Sequence, residues 1–315
     1  MTAVPLMAPP QPPPPQPAGV ERVAAEHAAR SLDARYEVLH SLGRGGMGQV
    51  WLAQDRVVGR EVALKVLDPV LASSLEHRER VGREALVAAR FPHPHIVQCY
   101  EFRCDRTAAV AVMRYVRGAT LADRLRGGAR LAPGAVLRVL VPIADALAHL
   151  HQHGVVHRDI KPENILLQVE DGRPFLTDFG IATLLTSEQS RAEVVRRYGT
   201  PDFMAPEQLV GDWEADHRSD IYSLGLVGFT ALAGRLPTPR GLRDTPPLRQ
   251  FASDVPAALG RIIDRCLARD PRRRWPNAAA LRDALARVAT GEEPLWRRIS
   301  LWWRSRGHAR QPVAP

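Results

Sequence analysis

Lysine is nearly missing from this chain: of its 43 basic residues only two, Lys65 and Lys161, are lysine and the rest are arginine. A guanidinium is a rigid planar fork, whereas a lysine ammonium is a compact charge on a flexible stem. Lysine kept at two places in such a chain points to positions where a point charge must meet phosphoryl oxygens. Cysteine is scarce as well. Cys99, Cys104 and Cys266 make neither a paired framework nor a CxxC metal motif, which excludes a disulfide scaffold and points to a reducing, cytoplasmic setting. No secretory leader is expected at the N-terminus. Long apolar runs are also missing. The longest, Ile221 to Leu236, is interrupted by Ser223, Gly225, Gly228 and Thr230 and falls short of the ~20 residues that a membrane helix needs. It reads as a buried core helix.

The composition that remains, 45% apolar and 24% charged in 315 residues, is that of a soluble globular protein with room for two lobes. A formal charge of +9 would suit a nucleic acid, but the arginines are spread along the chain rather than gathered in a block, so no nucleic-acid partner is expected. Residues 1–30 form a proline-rich arm unable to build helix or sheet. Residues 31–117 read as a small β-rich lobe with one helix, opening near Ser73 and stopped at Phe91-Pro92. Residues 118–290 turn helical, with Leu137, Leu140, Ile143, Leu147 and Leu150 at three- and four-residue spacing. The fold class is therefore α+β in two lobes. In residues 291–315, Leu295, Ile299, Trp302 and Trp303 would share one helical face opposite arginines. That tail packs on the helical lobe, lies on an anionic membrane surface as a peripheral contact, or meets a partner protein.

Several constellations carry chemistry. Gly43-Arg44-Gly45-Gly46-Met47-Gly48-Gln49-Val50 lies between two β-like runs and reads as a hairpin whose glycines let backbone approach phosphates. On the following strand Ala63 and Lys65 share a face, so an adenine would lie on Ala63 while Lys65 reaches the α and β phosphates. On the next helix Glu84 sits on the apolar stripe marked by Val81, Ala85 and Ala88. A carboxylate there either pairs with Lys65 or snorkels to solvent. His157-Arg158-Asp159-Ile160-Lys161-Pro162-Glu163-Asn164, followed by Asp178-Phe179-Gly180, is the strongest set. Asn164 and Asp178 are hard oxygen ligands suited to Mg2+. Asp159 is then free to accept the proton of an attacking hydroxyl, and Lys161 to neutralise a transferring phosphoryl group. His149, His151 and His153 alternate by two near a helix end, which spreads them, and no metal site is expected there.

From Tyr36 to Ala286 these motifs resemble the eukaryotic-like (Hanks-type) serine/threonine protein kinases of bacteria. The likeness continues through Gly199-Thr200-Pro201-Asp202-Phe203-Met204-Ala205-Pro206-Glu207, Asp220-Ile221-Tyr222-Ser223-Leu224-Gly225 and Asp270-Pro271-Arg272-Arg273-Arg274. It implies the two-lobed kinase fold, ATP with Mg2+, and protein serine or threonine hydroxyls as acceptors, the chain's own among them. It implies that Gly43, Gly45 and Gly48 cover the phosphates, and that Leu42, Val50, Ala63 and Leu166 sandwich the adenine. Met113 would stand behind the ring and the backbone of Arg114 and Val116 would meet its edge. Many relatives carry an acid where this chain has Arg114. The resemblance also implies a Glu207 to Arg274 ion pair, Asp220 supporting the His157-Arg158-Asp159 turn, and Thr200 paired with Lys161. A kinase-fold scaffold with impaired catalysis usually lacks one of Lys65, Asp159 and Asp178, all present here.

Where such relatives carry a phosphorylated threonine before the Gly-Thr pair, this chain reads Arg191 to Tyr198 without serine or threonine. Either Glu193 pairs with Arg158 as a permanent stand-in for phosphate, or Thr186, Ser187 or Ser190 is modified.

Overall fold

The computed structural model describes residues 35–45, 48–67, 89–104, 109–178, 201–209, 216–237 and 245–291. The proline-rich arm, Glu84, Phe179, Gly180, the Glu193 stretch, Thr200 and the tryptophan tail lie outside them.

Five antiparallel strands open the described chain: β1 (Tyr36–Gly45), β2 (Gly48–Asp55), β3 (Arg60–Leu67), β4 (Cys99–Cys104) and β5 (Ala109–Arg114), ordered β1-β2-β3-β5-β4. Strand side chains alternate faces, and this decides what the sheet does. Trp51, Ala53, Val62, Leu64, Val66, Val110 and Val112 fall on one face and close a small core with Tyr36 and Val38. Ala63 and Lys65 consequently point to the other face. Before Phe91, Ala89 and Arg90 are helical, which agrees with a helix stopped by Pro92.

The second lobe is built on α1 (Pro133–Gln152), which opens with proline at its first turn, where no amide partner is lost. Leu137, Leu140, Ile143, Leu147 and Leu150 are all buried, as their spacing predicts. Each such burial contributes about 1.5–3 kcal/mol. α1 is the one helix among the described residues long and apolar enough to cross a membrane, and 61% of its apolar window is buried inside the protein. α2 (Arg218–Ala233) is buried along nearly its whole length, as expected for the Ile221 run. A Cβ on Gly228 would meet Ile263 Cδ1 at 2.8 Å and Leu140 Cδ1 at 2.9 Å; its absence lets α2 nest between α1 and α3 (Ala257–Cys266). α4 (Ala278–Ala289), capped by the Asn277 side chain on the Ala280 amide, packs back on α1.

Within the helical second lobe, residues 118–178 add an element that helical spacing does not announce. They carry a three-stranded sheet, β6 (Gly118–Thr120), β7 (Ile165–Gln168) and β8 (Pro174–Leu176). Strands this short show no readable alternation. The segment leading into β4 is sewn to β8, through Val97 N–H to Leu176 O at 2.9 Å and Leu176 N–H to His95 O at 2.8 Å. The two lobes therefore share a main-chain seam beside the connecting segment.

Candidate active site

Asp220 organises the centre of the site. Wholly buried at the start of α2, its carboxylate accepts the main-chain N–H of His157 at 2.8 Å and of Arg158 at 2.7 Å, and faces His151 Nε2 at 2.8 Å. Burial alone would raise its pKa. The His151 contact, the nearby imidazoles of His151 and His157 and the Arg158 amide outweigh burial and hold it below the usual carboxylate range. Arg158 stands at φ 67°, a conformation that non-glycine residues adopt only where the surroundings enforce it. The turn so held presents Asp159 outward. His157 is buried, and burial lowers its pKa against the opposing charges of Asp220 and Asp159. Its neutral ring accepts the Asp159 amide on Nδ1 and faces Thr177 O with Nε2, both at 3.3 Å.

Around Asp159 the side chains converge. Lys161 Nζ donates to Asp159 Oδ2 at 2.8 Å, and Asn164 Nδ2 donates to the same oxygen at 2.9 Å and to the Asp159 carbonyl at 2.8 Å. With the Asn164 amide nitrogen turned to Asp159, its Oδ1 is the atom left for a cation. Asp178, at φ 54° just after β8, receives Lys65 Nζ at 2.9 Å. Desolvation pushes the Asp178 carboxyl up, while Lys65, and then Lys161, pull it below the ordinary value. The donor set of Asn164 Oδ1 and the Asp178 carboxylate, hard oxygens beside two ammonium groups, fits a magnesium ion that completes its shell with water and phosphate. Among the described residues Lys65 thus meets the carboxylate of Asp178; the Glu84 pairing lies outside them.

The nucleotide wall is partly assembled. Register places Gly43 opposite Val50 and Val50 opposite Lys65, and Gly45 opposite Gly48, so the glycine-bearing ends of β1 and β2 lie alongside the Lys65 end of β3. Ala63 pairs with Met113 across β3 and β5. Met113, Val116 and Leu166 gather on buried Phe175. Leu42 lies one residue before Gly43 on β1. The Arg114 amide donates to Gln98 O at 2.9 Å.

The ion pair of Glu207 with Arg274 is present and bidentate, at 2.6 and 2.8 Å, with the guanidinium buried. Three participants escape sequence reasoning. His151 contacts Asp220, Gln208 bonds the Arg158 carbonyl at 3.3 Å and the Ala205 amide at 3.0 Å, and Phe175 underlies the adenine wall. The first belongs to a histidine run read only for metals. Among the described residues no group of three or more His, Cys, Asp or Glu is placed to hold a metal ion. His149 and His153 are not spread as expected: one helical turn apart, they bring their rings to 4.7 Å.

This geometry agrees with comparison to known proteins. The protein kinase domain family matches residues 36–285. Serine/threonine-protein kinase pkn2 of Myxococcus xanthus is 37% identical over 276 residues, 81% of this chain and 32% of the relative. PrkC of Bacillus subtilis is 37% identical over 259 residues, 79% of this chain and 40% of its own length. The chain thus spans about a third to two fifths of these curated relatives. The solved PknI kinase domain of Mycobacterium tuberculosis matches with a TM-score of 0.65 and 34% identity, covering 80% of this chain and 96% of that one. Members of the family use ATP and a divalent metal. With its two lobes, its motifs and these matches, the chain belongs to the protein kinase domain family, among the bacterial Hanks-type serine/threonine kinases.

Proposed function

We propose that this chain transfers the γ-phosphate of ATP to serine and threonine hydroxyls of proteins, its own included. The observation that carries this reading is the convergence of Lys161 and Asn164 on Asp159 at 2.8–2.9 Å, with Lys65 on Asp178 alongside. Asp159 orients the acceptor hydroxyl and takes its proton as the oxygen attacks the γ-phosphorus and the bond from that phosphorus to the bridging oxygen breaks, releasing ADP. Lys161, within bonding reach of Asp159, meets the negative charge that develops on the transferring group. Lys65 holds α and β phosphate oxygens, Gly43, Gly45 and Gly48 cover them, and Leu42, Val50, Ala63 and Leu166 enclose the base. Asn164 and Asp178 would hold Mg2+, which would neutralise phosphate charge there. Thr200 would sit against Lys161, and Glu84 would steady Lys65.

Cytosolic placement is our reading too, supported by three cysteines in 315 residues without a paired framework. The tail's peripheral membrane contact rests on its tryptophan and arginine pattern.

The test is transfer of label from γ-labelled ATP to a serine/threonine peptide by the purified chain, with Asp159→Asn in parallel. Transfer by the parent and none by the variant is expected. Nucleotide binding without transfer by the parent would replace this reading with a kinase-fold scaffold.

A further inference from the structure

Arg114, the residue at which this chain departs from the acid of many relatives, does something its backbone does not. From the end of β5 its guanidinium lies over the ring of Phe175 on β8, 4.5 Å from the centroid. Its Nη2 also reaches Gln168 Oε1 on β7 in a long contact of 3.4 Å. Phe175 is fully buried, and it is the ring on which Val97, Val116, Met113 and Leu166 converge. The Arg114 amide is already tied to Gln98 O. One residue therefore joins β5 of the first lobe to β7 and β8 of the second by its side chain. A carboxylate at this place would be repelled by the negative face of the ring, whereas a planar cation is attracted to it.

We propose that Arg114 is a positioning residue for the nucleotide base: its cation–π strut onto Phe175 fixes the connecting segment so that the Arg114 carbonyl and the Val116 amide stand where the adenine edge arrives. This rests on the proposed ATP-dependent function. Val116 is 8% exposed and shares the Phe175 cluster, so loss of the strut frees both partners of the base together. The phosphate end of the site, at Lys65 and Asp178, is not touched by it.

The effect is consequently base-selective. A cation–π contact of this partly desolvated kind corresponds to roughly a three- to thirty-fold change in an equilibrium constant. Arg114→Ala should raise the KM for ATP and the Kd for adenosine within that range, and by similar factors. The KM for a peptide substrate, kcat and inhibition by inorganic tripolyphosphate should stay within about twofold. Arg114→Lys keeps the charge but not the plane, and should recover only part of the loss. Phe175→Leu should weaken adenosine, and Arg114→Ala added to it should cost little more. An unchanged adenosine Kd in Arg114→Ala overturns the proposal, as does an equal loss of tripolyphosphate affinity, which would mark a general collapse of the site. Adenosine titration needs no turnover. A parent chain without phosphotransfer would overturn the proposed function while leaving the Arg114 result readable.

Discussion

The carboxylate of Asp220 accepts the main-chain N–H of Arg158 at 2.7 Å, and Arg158 stands at φ 67°. A side chain on one helix thus holds a strained turn two residues wide, because the His157 amide goes to the same carboxylate at 2.8 Å. Asp220→Ala leaves two inward amides without an acceptor, at about 1–3 kcal/mol for each buried group. Asp159 then loses its platform, and misplacement by about 1 Å costs on the order of a hundredfold in rate. Lower melting temperature and lower kcat together are the expected outcome. Asp220→Asn, which retains one acceptor oxygen, should fall between. Wild-type kcat in Asp220→Ala would show that the turn stands without its support.

Arg274 is 1% exposed and forked onto Glu207, with the carbonyls of Ala268, Arg218 and Arg269 filling its remaining donors. Its guanidinium also lies 4.7 Å from the Tyr222 ring centroid. Glu207→Ala strands a buried cation, a loss of about 3–5 kcal/mol, and should lower the melting temperature by about 10 °C for a chain of this size. Glu207→Gln, which still accepts on one oxygen, should lose less. Calorimetry of the three proteins decides the point, and equal melting would dismiss the pair as a structural anchor.

The Lys161, Asn164 and Asp178 constellation was legible because residue type and spacing express its chemistry directly. Likewise Leu137 to Leu150 announce α1, since helix periodicity needs no tertiary partner. What stayed hidden depends on partners far away in the chain. β6 and β8 have three residues each and exist through pairing with β7. The Asp220 contact to His151 spans 69 positions, and Arg114 meets Phe175 only once both lobes are in place. Lys65 shows the same limit: its contact with Asp178 lies 113 positions on, while the Glu84 pairing falls outside the described residues.

The rings of His93 and His149 stack at 5.2 Å, and His149 meets His153 at 4.7 Å. Burial lowers the pKa of both His93 and His149; His153 adds to the lowering at His149, while Asp145, itself bonded to Arg282, opposes it at both. His95, 5.8 Å from His93 between ring centroids, adds a further lowering there. Histidines of the unfolded chain take up protons below about pH 6.5, and these native ones resist. Their contribution to stability is therefore complete above that pH and is lost as pH falls through their folded values. Melting temperature should decline from pH 7.5 to pH 5.5, and His149→Gln should flatten the slope. An identical slope in that variant would exclude the cluster as its origin.

Lys65→Arg is the sharpest test of the chemistry, because this chain accepts arginine at nearly every other basic position. The ammonium occupies a narrow place: its side chain is 12% exposed and it sits 2.9 Å from Asp178 Oδ1. On β3 it faces Val50 on one side and Ala111 on the other. A guanidinium is wider and delivers its bonds in a plane, so it cannot hold a carboxylate and a phosphate oxygen with one compact charge. Net charge is unchanged by the swap, so any loss reports geometry rather than long-range field. Phosphotransfer should drop by about a hundredfold or more, the scale on which removal of a single aligned electrostatic contact acts. The melting temperature should move by no more than about 2 °C, as for substitutions outside the core. Asp159→Asn should show the same silence with nucleotide affinity retained, since it acts on the acceptor hydroxyl. Near wild-type turnover by Lys65→Arg would mean that the position asks only for positive charge, and the scarcity of lysine in this chain would lose its link to the site.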